Sequence, residues 1–267
     1  MSRITEKFNE LKVLNRKGLI VYLSAGYPDY ETTLQAISAA EESGADIIEI
    51  GIPFSDPLAD GPVIQKAATL ALAAGATTGK TLELIRKIRQ TSTIPLAVMT
   101  YINTILHYGV DNFVSDFAQA GIDGIIVPDL PAEEAGLLQP PCLTAGLDLI
   151  HFAAPTTTAS RIEQVCRQAS GFIYCISNNG VTGVRQVDYQ AIAQVIKAVR
   201  RTTSVPLAIG FGIGTGESAH AAAQYADAVI VGSAVITALS ESGVTGVRDL
   251  IQTIRQGLDK GIGGEER

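Results

Sequence analysis

Short runs of apolar, β-branched residues recur along the whole chain, at Leu19–Leu23, Asp46–Ile50, Pro95–Met99, Asp123–Val127, Leu147–Phe152, Phe172–Ile176, Pro206–Ile209 and Asp227–Val231. Their near-continuous hydrophobicity predicts parallel strands covered on both faces, because a half-solvated sheet would alternate apolar with polar. Between them lie Ala-rich stretches of helical period, such as Glu31–Glu42, Leu82–Gln90, Ile105–Ala120 and Ala191–Arg200. Val247, Leu250, Ile251, Ile254 and Leu258 mark one stripe of a last helix, and Ile4, Phe8 and Leu11 mark a stripe ahead of the first strand. Eight strands alternating with helices, plus an extra N-terminal helix, predict an α/β fold of the (β/α)8 TIM-barrel type. A doubly wound open sheet is the competitor. No linker, repeat or shift in composition divides the chain, so one TIM-barrel domain over residues 1–267 is expected.

Composition narrows the class. Of 267 residues 46% are hydrophobic and 18% charged, and the net charge is −7. No basic run exceeds a pair such as Arg200–Arg201, so nothing favours nucleic acid. No apolar run approaches the roughly 18 residues that span a bilayer. The opening MSRITEKFNELKVLNRKG alternates charges and lacks an apolar core, so no signal peptide is read there. Cys142, Cys166 and Cys175 have no metal-type spacing and suit a reducing, cytoplasmic setting.

Two glycine motifs are decoys. Around Gly210-Phe-Gly212-Ile-Gly214-Thr-Gly216 the third glycine of a dinucleotide fingerprint falls on Thr215, Glu217 or Ala219. Gly79-Lys80-Thr81 fails as a phosphate loop because Ala74 stands where its first glycine is needed.

A barrel of this kind places its chemistry at the C-terminal ends of the strands. Polar and glycine-rich residues gather there: Ser24-Ala-Gly-Tyr-Pro28, the long segment from Glu49 to Gly61, Tyr101-Ile-Asn103, Pro128-Asp129, Ser177 to Arg185, Gly210-Phe-Gly212 and Gly232-Ser233. Glu49 interrupts an isoleucine run, where a bare charge would be costly. It reads either as an ion-paired buried carboxylate or as a general acid/base with a raised pKa. Asp60 follows on the same loop, as a turn residue or a second carboxylate for acid–base work. Gly212, with Gly232-Ser233 opening a short helical segment over Ala234–Leu239, offers backbone N–H groups for an anion. The eight lysines all fall on predicted helices or their flanks, which argues against a Schiff-base enzyme. His107, His151 and His220 are dispersed, so no metal site is expected.

The fourteen-residue run from Ile48 to Gly61, IEIGIPFSDPLADG, closely resembles the signature of the tryptophan synthase α-subunit family. Tyr22-Leu-Ser-Ala-Gly-Tyr-Pro28, Val127-Pro-Asp-Leu-Pro131, Gly180-Val-Thr-Gly183, Gly210-Phe-Gly-Ile213 and Gly232-Ser233 resemble it too, in the family's order. The resemblance implies a TIM-barrel lyase of tryptophan biosynthesis that cleaves indole-3-glycerol phosphate to indole and glyceraldehyde 3-phosphate. It implies Glu49 and Asp60 as catalytic residues, Tyr22, Tyr101, Tyr174 and Thr182 as substrate-binding, and Gly183, Gly212, Gly232 and Ser233 as phosphate-binding. It also implies no cofactor in this chain and a pyridoxal-phosphate β-subunit as partner in an α2β2 assembly, contacted around Pro53–Asp56 and Asp129–Pro131. A lyase that works alone and releases indole, or a catalytically weak allosteric subunit, are the alternatives. Ser24 stands where the family more often has Thr, and Asn178 and Asn179 have no assigned role.

Overall fold

Buried strands show no amphipathic alternation in their hydrophobicity, but they still present successive side chains to opposite faces. The computed structural model, which describes residues 1–176, 189–210 and 212–260, resolves the two faces. Its eight strands are β1 (Gly18–Ser24), β2 (Ile47–Gly51), β3 (Leu96–Met99), β4 (Gly124–Ile126), β5 (Asp148–Ala153), β6 (Ile173–Ile176), β7 (Leu207–Gly210) and β8 (Ala228–Val231). All pair in parallel with their sequence neighbours, and β8 returns to β1, closing the barrel. The predicted (β/α)8 architecture is therefore observed, and the open sheet is excluded.

Ile20, Ile47, Ala97, Ile126, Ile150, Phe172, Ala208, Ala228 and Ile230 fill the interior as one cluster. The alternate residues Leu19, Val21, Ile48, Ile50 and Val98 face outward into the larger core beneath the helices. The helices are α1 (Arg3–Val13), α2 (Tyr30–Glu42), α3 (Pro62–Ala73), α4 (Thr78–Ile88), α5 (Ile102–Tyr108), α6 (Val110–Ala120), α7 (Gln139–Ala145), α8 (Ala159–Gln168), α9 (Tyr189–Arg200), α10 (Gly216–Ala223) and α11 (Ser233–Asp259). The extra N-terminal helix is α1, and it plugs the N-terminal end of the barrel. Ile4 and Phe8 join the interior cluster, and Phe8 meets Phe172 at a ring separation of 5.9 Å. Ser2 caps the helix and donates to Asp148, while Arg3 pairs with Asp123 at 2.8 Å.

Two helix readings change. The stretch over Ile105–Ala120 is two helices, beginning earlier at Ile102 and broken at Gly109, whose φ of 91° no β-branched residue would tolerate. The short helix expected after Gly232 and the last helix form one run, α11, interrupted at Gly243.

Three aspartates stand one residue before their strands and repeat one device. Asp46, Asp123 and Asp227 each accept a backbone N–H from near the start of the preceding strand, from Leu19, Leu96 and Leu207, at 2.8, 2.9 and 2.8 Å. An arginine from the helical layer then neutralises each: Arg255, Arg89 and Arg200 respectively. These brackets sit at the opposite end of the barrel from the candidate chemistry.

Candidate active site

The sequence of β2, Ile-Ile-Glu-Ile-Gly, puts Glu49 on the inner face between Ile47 and Gly51. Its side chain is 1% exposed, and Oε2 has no hydrogen-bond partner among the described residues. Burial, with a smaller contribution from the charge of Asp60, raises its pKa to about 8. Of the two readings of Glu49, the ion-paired one has no support among the described residues, where no cation bridges it.

Asp60 lies at the end of the loop that follows β2. Asp60 is buried, and its N–H bonds to the Pro57 carbonyl at 3.0 Å. Gly61 then caps α3, with Pro62 in the first turn, where a missing N–H costs nothing. Burial raises the Asp60 pKa to about 6, against the lowering effect of a hydrogen bond from Tyr101. Tyr101, just after β3, donates from Oη to Asp60 Oδ2 at 3.0 Å and accepts the Ala59 N–H at 3.0 Å. Phe54 stacks on the same ring at 5.1 Å. Tyr101 thereby ties the loop carrying Asp60 to the mouth of β3.

Tyr22 pairs in register with Glu49 across β1 and β2. Its ring lies over Gly51, where a Cβ would sit 2.6 Å from Tyr22 Cζ. Tyr174 on β6 stands likewise against Gly210, where a Cβ would sit 2.6 Å from its Cζ, and Phe152 packs on it at 5.0 Å. Burial raises the pKa of both phenols, and the charges of Glu49 and Asp60 add to the shift. Five of the six side chains expected at the site, Glu49, Asp60, Tyr22, Tyr101 and Tyr174, are thus brought to one end of the barrel. Sequence reading missed the roles of Gly51 and Gly210; only strand register reveals which neighbour each glycine makes room for.

Gly212 adopts φ 76°, a left-handed backbone that glycine takes without strain. Gly232 precedes α11 with no side-chain cap, so the first N–H groups from Ser233 onward point out of the helix. A Cβ at Gly232 would lie 3.4 Å from Tyr22 Cβ and 3.6 Å from Ile64 Cδ1, which places this turn against Tyr22. Thr182 and Gly183, like Asn178 and Asn179, lie outside the described residues.

The histidines stand apart from this site. His107 is on α5, His151 is on β5 with its pKa pushed down to about 4 by burial, and His220 on α10 contacts the Gly257 carbonyl at 3.2 Å. Among the described residues no group of three or more His, Cys, Asp or Glu could hold a metal.

Comparison with known proteins gives one answer. Residues 8–260 match the family model described as tryptophan synthase alpha chain. The tryptophan synthase alpha chain of Gluconacetobacter diazotrophicus is 51% identical over 91% of this chain and 89% of its own length. That of Synechococcus elongatus is 45% identical over 97% of this chain and 98% of its own. Among solved structures, a chain of Mycobacterium tuberculosis tryptophan synthase superposes with a TM-score of 0.91 at 39% identity, covering 96% of this chain and 98% of that one. The tryptophan synthase subunit alpha of Legionella pneumophila gives 0.89 at 35% identity, covering 97% and 99%. Matches that run from the plug helix to the end of α11, at such identities, leave one conclusion: this chain belongs to the tryptophan synthase alpha chain family.

Proposed function

We propose that Glu49 and Asp60 divide the acid–base work of a lyase that cleaves indole-3-glycerol phosphate to indole and glyceraldehyde 3-phosphate. The family carries the reaction class. The observation that supports the division of labour is a buried Glu49 carboxyl beside a second carboxylate of lower pKa. Near neutral pH Glu49 holds its proton and Asp60 is mostly ionised. Two carboxyls whose environments push their pKa values apart are suited to opposite roles.

The steps balance on those roles. Glu49 delivers its proton to indole C3, which leaves positive charge on the ring nitrogen. Ionised Asp60 accepts the indole N–H and stabilises that charge in a site shielded from water. The Glu49 carboxylate then takes the proton of the hydroxyl on the carbon attached to the ring. The carbon–carbon bond breaks, its electron pair restores the indole, and the hydroxyl carbon becomes the aldehyde. Glu49 ends protonated, as it began.

Tyr22, Tyr101 and Tyr174 would wall the substrate, and Gly212, Gly232 and Ser233 would bind its phosphate through backbone N–H groups and the dipole of α11. Thr182 and Gly183 are proposed from the resemblance, as the loop residue that closes and a further phosphate contact. As an alpha chain it pairs with a β-subunit, which carries the pyridoxal phosphate; the proposed contacts are Pro53–Asp56 and Asp129–Pro131, in an α2β2 complex. We take residues 1–267 as one domain. Among the described residues no helix is long and apolar enough to cross a membrane, and a cytoplasmic location fits a biosynthetic enzyme.

The test is steady-state turnover of indole-3-glycerol phosphate at saturation, titrated with β-subunit, for wild type and Thr182→Gly. Slow cleavage alone, a marked rise with partner and a blunted rise in the variant are expected, since a partner that orders loops raises the competent fraction. If the isolated chain already turns over at the rate of the mixture and no complex elutes on gel filtration, a stand-alone indole-releasing lyase replaces the subunit reading.

A further inference from the structure

His151 is a buried titratable group with no task in the proposed reaction. It follows Ile150 on β5 and is 4% exposed. Successive strand residues face opposite ways, and Ile150 belongs to the barrel interior, so His151 points outward beneath the helical layer. There Gln139 of α7 donates through Nε2 to the Gln168 carbonyl at 3.3 Å, which leaves its Oε1 to meet His151 Nε2 at 3.4 Å. An amide oxygen only accepts, so Nε2 carries the proton of the neutral imidazole and Nδ1 keeps a bare lone pair. Burial, which pushes the pKa down to about 4, holds the ring neutral at ordinary pH. Nδ1 makes no hydrogen bond among the described residues. A buried acceptor without a donor calls for an explanation.

His151 lines a cavity of about 220 Å³ between the segment after β4 and α8, walled by Pro128, Leu130, Ala132 and Val165. No lysine or arginine lines it, and the exposed Asp129 adds a carboxylate. Its volume falls below the roughly 300–1,000 Å³ of sites for drug-sized ligands, so it suits a single or fused ring. The walls favour an apolar body, Asp129 disfavours an anion, and Nδ1 lacks one N–H or O–H donor. Among the molecules of the proposed reaction, the substrate and glyceraldehyde 3-phosphate carry a phosphate. Indole is an uncharged ring system with a single N–H.

Resting on the proposed reaction for the identity of its occupant, we propose that this cavity is a second, non-reacting indole site in which His151 Nδ1 accepts the indole N–H. It lies behind β5, outside the barrel interior that Glu49 faces, and it borders the Asp129–Pro131 segment proposed to meet the β-subunit.

The test follows the imidazole nitrogens of the full chain by NMR, with isotope-labelled histidine and without partner. A saturating indole phosphate with a plain propyl chain, which cannot be cleaved, blocks the catalytic site. Indole should move the His151 Nδ1 resonance upfield in a saturable titration and leave His107 and His220 in place. Benzothiophene has the same bicyclic shape and no N–H. It should bind about 3- to 10-fold more weakly, the range of one net hydrogen bond, without reproducing the Nδ1 shift. His151→Phe should lose this binding while kcat/KM for cleavage stays within about twofold of wild type. The assignment is overturned if Nδ1 does not respond to indole, if benzothiophene moves it equally, or if it responds only with the catalytic site open. These wild-type arms decide the matter even where the variant folds poorly. The titration requires no turnover, so a wild type unable to cleave indole-3-glycerol phosphate would overturn the reaction reading while the His151 shift still decided this one.

Discussion

In its proposed role, Glu49 would trade stability for chemistry. Its pKa of about 8 in the folded chain exceeds the ordinary carboxylate value, so the native state holds a proton that the unfolded state releases. Stability attributable to this group is therefore fully present below the unfolded pKa, and it is lost as pH rises toward 8. Glu49→Gln removes the liability along with the acid. Thermal melts should show the variant gaining over wild type steadily from pH 5 to pH 8, while cleavage falls by at least about 10²–10⁴-fold. A gap that stays constant with pH would mean that the carboxyl is not protonated in the folded chain. Tyr101→Phe tests the other carboxylate. The phenol's hydrogen bond holds Asp60 toward its ionised form, so its loss should raise the Asp60 pKa above about 6. The acid limb of kcat/KM should then move to higher pH. Glu49 was legible in the sequence because a charge inside an isoleucine run has no cheap explanation. Asp60 was legible only as an open choice between a turn residue and a second carboxylate, since Asp-Gly-Pro is ordinary turn chemistry; the resemblance singled it out, and the fold carries its side chain to Tyr101.

At the scale of elements, the strand-initial aspartates explain how short strands keep their places. Each bracket fixes one strand's backbone to its neighbour and to an arginine in the outer layer. Their strengths should differ with burial. Arg255 and Asp46 are both buried, and Arg255 also holds the Lys17 carbonyl and Asp259. Removing one member of a buried pair typically costs about 3–5 kcal/mol, because the other charge is left uncompensated. Arg200 and Asp227 are over a third exposed, where a pair is typically worth about 0.2–1 kcal/mol. Denaturant melts of Arg255→Ala and Arg200→Ala should separate accordingly, with little change in slope, and equal losses would dismiss the burial argument. The strands themselves were readable from hydrophobic runs. These brackets were not, because Arg255 lies 209 residues from Asp46 and nothing local joins them. The break at Gly109 was also hidden, since helical period continues on both sides of it.

For the molecule as a whole, the proposed anion site at Gly232 would connect ligand to stability. Glycerol 3-phosphate should raise the melting temperature of wild type, by mass action on the folded state. Gly232→Val would put a branched side chain beside Tyr22 and Ile64 and in the way of an anion approaching the backbone N–H groups, so its melt should respond much less. Equal protection of both would move the anion site elsewhere. The barrel was legible from the count and spacing of strands, but the plug could be read only as one more amphipathic helix. That plug has its own consequence. With Ile4 and Phe8 packed into it, the far end of the barrel is filled, and the carboxylates stand toward the opposite end. On the proposed reaction, reactant and products would then pass at the strand ends that carry Glu49 and Asp60, away from the plug. A protein seated over such a threshold would not need to compete for a released product, because it would take custody of it.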